Sequence, residues 1–374
     1  MSLPAARGKA AARTRLVIRV ERRGEAAPGL QAAVLVLSVL VGFAAVGVLF
    51  AARGVNPFFA LWKIIGGSFF SLFGLTETVT KAIPLILIGA GLTLAFRAKF
   101  WNIGAESQLL MGAIAGTWVG LQWSARLPAA ALIPLMFLTG FLAGALWGII
   151  PAVLKVRFGV NEVISTLMLN YVAAELLTLL IVGPWKGSTQ QGFPYTDDLQ
   201  GAAVLPLIGA TRIHYPTLIV AVAAALILFV LVYSTRFGYE LRVVGENPDA
   251  ARYAGIDFLR VTLILMVLSG GLAGLAWVGE AAGVHHHLTY PSVISAGYGF
   301  TAIIVAWLAK LNPAASILSA FFFAGILVGG DAIQISLGLP AATVQVFNGV
   351  LLFFLIMGDY FLANRLRLVR RTEA

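Results

Sequence analysis

The sequence predicts an all-α, polytopic membrane protein of about ten transmembrane helices, arranged as two inverted five-helix halves with both termini cytoplasmic. Three observations lead there. Of 374 residues, 60% are hydrophobic and 11% charged, whereas soluble domains carry about 25% charged residues. Apolar runs of about 20 residues recur along the chain, each able to cross a hydrocarbon core of roughly 30 Å at ~1.5 Å of helical rise per residue. Lysine and arginine are unevenly divided between the segments that join those runs, which fixes their sidedness. The formal charge of +10 therefore reflects topology and gives no ground for a nucleic-acid polymer as partner. The chain has no cysteine, so disulfides, thiolate metal sites and cysteine nucleophiles are excluded.

Residues 1–31 contain Arg7, Lys9, Arg13, Arg15, Arg19, Arg22 and Arg23 and end near Pro28-Gly29; they read as a solvated, flexible, basic cytoplasmic tail. Gln31 to Ala52 is the first apolar run, longer than the signal-peptide core of about 7–15 residues. The same length rule places spans near 79–97, 104–123, 128–154, 161–183, 216–233, 260–281, 292–309, 313–335 and 341–362. The membrane domain thus covers 32–362, and 363–374 is a second basic cytoplasmic tail. Residues 56–75, opening with Asn56-Pro57 and broken by Lys63 and Gly66-Gly67, read as an amphipathic surface stretch instead of a span. With the N-terminus inside, all of the 26 lysines and arginines except Arg53, Lys63, Lys81, Arg126, Lys186 and Arg212 fall on the inner side, as the positive-inside rule requires. Counting 56–75 as a span would destroy that bias.

Two sets of five spans must enter the membrane with opposite orientations, an arrangement that places a substrate site where the halves meet. The longest outer segment, 184–215, is the linker between them. Glycines recur at helical spacing, as in Gly112, Gly116 and Gly120, Gly140, Gly144 and Gly148, and Gly270 and Gly274. In lipid such faces let helix backbones approach closely.

The longest charged interval between two apolar runs, Tyr233 to Phe258, carries its own helix punctuation. Asn247 is placed to cap a helix that begins at Pro248, where the missing N–H costs nothing; Asp249 suits the positive end of the dipole, and Gly255 supplies a left-handed stop. This predicts a short cytoplasmic helix over Pro248 to Ala254, with Gly245 ending the preceding helical stretch. Ala250, Ala251 and Ala254 then form a small apolar face suited to another protein's groove.

Polar residues inside apolar runs are the other signal, because each charge there costs about 2.5–3.5 kcal/mol on insertion scales. Asn102, Glu106 and Gln108 open the third span; Asn161, Glu162, Asn170 and Glu175 lie along the fifth. Tyr298 and Phe300 sit in a glycine-interrupted eighth, and Asp331, Gln334 and Asn348 lie in the last two. No GxxxxGK[ST] loop is present, so ATP phosphates are not held here in the P-loop manner. His285, His286 and His287 fall in an outer loop without an accompanying acidic or cysteine cluster, which predicts loop or partner contact and no metal site.

Both sets of residues carry a resemblance. Tyr233 to Phe258 resembles the coupling segment of importer permeases of the ATP-binding-cassette (ABC) class for nucleosides and simple sugars, T-x-F-G-x-x-L-R-A-V-G-x-N-x-x-A-A-x-x-A-G-I, matching at Thr235, Phe237, Gly238, Leu241, Arg242, Val244, Gly245, Asn247, Ala250, Ala251, Ala254, Gly255 and Ile256, with Val243 in place of the usual alanine. F-W-N-I-G-A-E-S-Q-L-L-M-G-A, N-E-V-I-S-T-L-M-L-N-Y and G-Y-G-F-T-A-I-I-V-A-W-L-A-K-L-N-P look like hallmark segments of the nucleoside type. Ser107 stands where glycine is common, and Trp307-Leu308-Ala309 where Leu-Leu-Gly is common. The match covers about residues 78–362.

The resemblance implies a multi-pass subunit of the bacterial plasma membrane that moves a small molecule and does no covalent chemistry. It implies separate ABC ATPase subunits that hold the ATP and Mg²⁺, no cofactor in this chain, a second identical or homologous permease subunit, and an extracytoplasmic substrate-binding protein. Arg242, Gly245, Glu246, Asn247, Ala250, Ala251, Ala254 and Gly255 would couple to the ATPase. Asn102, Glu106, Gln108, Asn161, Glu162, Asn170, Tyr298, Phe300, Gln334 and Asn348 would line the substrate passage, with Trp101, Tyr298 and Phe300 stacking on a base. A simple sugar is the alternative substrate. An ion-coupled secondary transporter relaying protons or sodium through Glu106, Glu162 or Asp331 is a third reading, but it would have no use for a partner-docking helix.

Overall fold

The structure, a computed structural model, describes residues 14–22, 27–52, 54–188, 192–338 and 340–372. It is mostly helical, with fourteen α-helices and two strands among the described residues. The chain divides into two compact units, one of Met1–Leu61 with Pro340–Ala374 and one of Trp62–Leu339.

In the first unit, α1 (Pro28–Ala52) packs against α14 (Ala341–Ala363), with Phe50 and Phe347 6.3 Å apart between ring centroids. Strands β1 (Thr14–Arg22) and β2 (Asn364–Thr372) pair antiparallel, from Thr14 opposite Thr372 to Arg22 opposite Asn364. The N-terminal tail, read from the sequence as flexible, therefore holds a ladder with the C-terminal one over these residues. The period-two alternation of Leu16, Ile18 and Val20 is its sequence signal, overshadowed by the arginines. Residues 1–13 and 23–26 of the expected basic tail lie outside the described residues.

A short helix, α2 (Pro57–Phe69), leads into the second unit. At ~1.5 Å per residue its 13 residues are too short to span. The second unit then contains α3 (Leu72–Arg97), α4 (Ala105–Trp123), α5 (Ala129–Phe158), α6 (Glu162–Val182), α7 (Tyr215–Ser234), α8 (Arg236–Glu246), α9 (Pro248–Tyr253), α10 (Phe258–Glu280), α11 (Pro291–Ile294), α12 (Tyr298–Leu308) and α13 (Ala315–Leu337). Among the described residues, seven helical stretches are long and apolar enough to cross a membrane: 72–97, 129–158, 162–182, 215–234, 258–285, 291–308 and 315–337. The helix α4, whose first turn carries Glu106, Ser107 and Gln108, is not one of these.

Helices α3 and α10 are the most enclosed and pack on each other. Each also packs against two helices from the other's part of the chain: α3 against α12 and α13, α10 against α4 and α5. Glycine faces make the second set close. A Cβ on Gly112 would sit 2.3 Å from the Cα of Gly274, and one on Gly144 would sit 2.2 Å from the carbonyl oxygen of Gly270. The eighth stretch, read from the sequence as glycine-interrupted, is broken at Ser295–Gly297, where Ala296 (φ 44°) and Gly297 (φ 77°) turn left-handed between α11 and α12.

Candidate functional site

Two places gather the polar residues singled out by the sequence. The first is a knot at the middle of the helices. Asn102 and Gln108 exchange amide hydrogen bonds of 3.0 and 3.1 Å, and the Asn102 amide also donates to Ser269 Oγ at 3.2 Å. Ser269 is the twelfth of the 23 residues of α10, so the knot lies at the midpoint of that span. From α6, Asn170 accepts from the Ser107 N–H at 3.0 Å and donates to the Ile103 carbonyl at 3.0 Å. All are buried, so every amide that can be matched is matched, as a low-dielectric site demands.

Glu106 connects this knot to the broken helix. Its Oε2 accepts from the Gly299 N–H at 2.7 Å, and the Ser295 side chain hydrogen-bonds to the same carboxylate. Gly297, at the cap position of α12, offers no side chain; the carboxylate of another helix satisfies the orphan N–H instead. Contact is tight enough that a Cβ on Gly299 would lie 2.4 Å from the Glu106 nitrogen and 2.6 Å from its Cα. Glycine is required there by close approach.

The other passage candidates are placed differently. Asn161 caps α6, accepting from the Val163 and Ile164 N–H groups at 2.8 and 3.4 Å, and Glu162 pairs with Lys155 at 2.6 Å. Both lie at a helix end, away from the knot. Tyr298 is buried. Trp101 stacks on Trp307 at 5.7 Å and tilts against Phe96 at 5.6 Å, yet it and Phe300 are exposed to the same extent, 44% and 43%. Gln334 lies half-buried on α13. The side chain of Asn348, on α14, lies outside the described residues.

The second place is the segment after α7. Helix α8 is amphipathic, burying Gly238, Leu241, Val244 and Gly245, while Arg242 is half-buried and Glu246 exposed. Gly245 does not end that helix; α8 continues to Glu246. Its glycine is needed for packing, since a Cβ would sit 2.0 Å from the Arg97 carbonyl oxygen. Asn247 caps α9 through the Asp249 and Ala250 N–H groups at 3.1 and 3.0 Å, and Gly255 turns left-handed at φ 72°. One expectation is overturned: Ala251 is fully buried within its own chain, on a helix that packs against α8 and α10. The open face is Ala250, Ala254 and Tyr253, the last 97% exposed. Nothing in the local sequence marks Tyr253, because the small-residue pattern of the segment points to the alanines.

At the opposite end, His287 meets Asp198 at 3.1 Å and stacks on Tyr195, fastening the 193–199 loop, and His285 stacks on Trp277. His286 lies between them with its pKa lowered, chiefly by burial.

The family described as "Branched-chain amino acid transport system / permease component" matches residues 74–356. A glucose ABC transporter permease protein of Haloferax volcanii is 40% identical over 336 residues, covering 87% of each chain. The chain belongs to this permease family. It is a multi-pass membrane protein and a transport subunit. A guanosine ABC transporter permease protein of Bacillus subtilis is 31% identical, covering 85% of this permease and 91% of its own length. Among solved structures, an inward-facing putative metal-chelate type ABC transporter covers 88% of this permease and 99% of that chain, with 13% identity and a TM-score of 0.47.

Proposed function

We propose that this permease moves nucleosides inward across a bacterial plasma membrane, driven by separate ABC ATPase subunits that hold ATP and Mg²⁺. An extracytoplasmic binding protein delivers the substrate, and a second permease subunit, identical or homologous, completes the passage. Ten spans with both termini inside fit the positive-inside count, and the exchange of packing partners between α3 and α10 supports two inverted halves.

The observation that carries the substrate class is the Glu106–Gly299 bond. Half-helix N-termini at the membrane midplane commonly receive an anionic group of the substrate. Here that terminus is filled by the chain's own carboxylate, so it is not offered to the carboxylate of an amino acid. A neutral substrate fits better. The guanosine permease relative supports a nucleoside; the 40% identity to a glucose permease supports a sugar as the second reading.

The test is uptake in cells expressing the complete set of subunits. Saturable entry of labelled purine or pyrimidine nucleosides, unaffected by excess leucine, is expected. Entry of hexoses with indifference to nucleosides would assign the sugar reading.

A further inference from the structure

Helix α6 shows two unlike faces. Thr166, Asn170, Ala173 and Leu177 are buried, and Asn170 bonds into α4. On the opposite face Ile164, Met168, Tyr171, Val172 and Leu179 are exposed, and in their midst stands Glu175, also exposed. Among the described residues no hydrogen bond or ion pair engages its carboxylate. It lies seven residues from the end of α6 at Val182, or about 10 Å by helical rise. A glutamate side chain is too short to snorkel over two helical turns. Lipid therefore cannot be its surroundings without a heavy penalty, and Tyr171, one turn away at i−4, shares its face at 65% exposure. The first piece of the broken helix, α11, packs against α6 as well.

We propose that Tyr171 and Glu175 form a contact point of the passage for a neutral ring bearing adjacent hydroxyl groups. The aromatic face covers the ring, and the two carboxylate oxygens accept one O–H each. Ribose in a nucleoside and a pyranose share this chemistry. The assignment rests on the importer reading above.

The experiment uses the full transporter in vesicles, with substrate concentrations that load the binding protein completely, so that its own selectivity does not enter the rate. Guanosine is compared with 2′,3′-dideoxyguanosine, and glucose with 3-deoxyglucose. For Glu175→Gln the maximal rate should fall about tenfold or more for the hydroxylated member of the transported pair, as expected for a lost charge-assisted hydrogen bond. It should change less than about twofold for the deoxy member. Glu175→Leu should insert normally and show the same selective loss. Transport of glucose alone would overturn the nucleoside reading while the sugar pair still decided the site. Equal losses for both members, an unchanged rate in Glu175→Leu, or dissociation of the paired permeases on size-exclusion chromatography would overturn the contact point. The last outcome would make Glu175 a partner contact.

Discussion

Replacing Tyr253 by alanine removes the most exposed aromatic side chain of the 233–258 segment, one that projects almost wholly away from the chain. Its ring is 97% exposed on a helix held by Asn247 and anchored by buried Ala251. Stability should therefore move by no more than about 0.5 kcal/mol, the usual range for surface changes. Docked in an ATPase groove, an aromatic side chain buries about 150–250 Å², worth at most about 4–6 kcal/mol at ~25 cal/mol per Å². Association costs and imperfect fit reduce this, and aromatic anchors at interfaces typically lose about 2–4 kcal/mol on truncation. That is about 30- to 700-fold in affinity. The measurement is titration of detergent-solubilised permease with the ATPase subunit, beside uptake in vesicles and a thermal melt of the permease alone. An unchanged melt with weakened association and lost uptake is expected. Wild-type affinity and uptake in both Tyr253→Ala and Ala254→Glu would show that α9 is an ordinary loop helix, and the coupling assignment would fail.

Gly245→Ala tests the seat of the same segment: a methyl 2.0 Å from the Arg97 carbonyl oxygen must move α8 by roughly 1 Å, at about 1–3 kcal/mol, and ATP hydrolysis should continue while uptake falls. Normal uptake with normal stability would mean that α8 is free to shift without consequence. Asn170→Leu leaves the Ser107 N–H and the Ile103 carbonyl without their buried partner, at about 1–3 kcal/mol each, and should lower the melting temperature by several degrees in a detergent melt. A variant that melts normally yet transports nothing would instead place Asn170 in the passage. Gly299→Val should prevent α12 from reaching Glu106, reducing the yield of folded permease on fluorescence-detected chromatography; full yield would show that the 2.7 Å bond is dispensable.

Helix positions were legible in the sequence because hydropathy and length decide them together; the exceptions are the eighth run, which is two helices, α11 and α12, and the second, which starts at Leu72 instead of near residue 79. The cap at Asn247 and the stop at Gly255 were legible because they are local, needing only the backbone groups beside them. What lay beyond reach was whatever depends on a distant partner. Gly245 resembles a helix stop in one dimension, but the carbonyl of Arg97 is its reason. Ala251 and Ala250 are alike in type, and only the packing of α9 on its neighbours α8 and α10 separates buried from open. Asn102, Glu106, Gln108 and Asn170 stand out as polar residues in apolar surroundings; that Asn102 bonds Gln108, Glu106 bonds Gly299, and Asn170 bonds the backbone of Ile103 and Ser107 is a fact of tertiary structure. Asn161 and Glu162 satisfy the same rule, yet they serve a helix end.

Both ends of α12 are tied to one stretch of chain. At its start, Gly299 donates to Glu106. At its end, Lys310 and Leu311 adopt left-handed backbone angles of 51° and 55°, each unfavourable by about 1–2 kcal/mol for a residue with a Cβ. Arg97 offsets part of that cost, because its Nε donates to the Leu311 carbonyl at 2.7 Å. The same guanidinium bonds the Tyr233 hydroxyl at the end of α7, and the Arg97 carbonyl seats Gly245 of α8. A planar fork can address a carbonyl and a hydroxyl at once, which a lysine ammonium on a flexible stem does less well. Residues 97–106 thus join α8 to both ends of an 11-residue helix, whose Phe300 faces outward. Any displacement of α8 that preserves these contacts carries α12 with it, and any displacement that leaves α12 behind must first break the Arg97–Leu311 bond and release the strained turn.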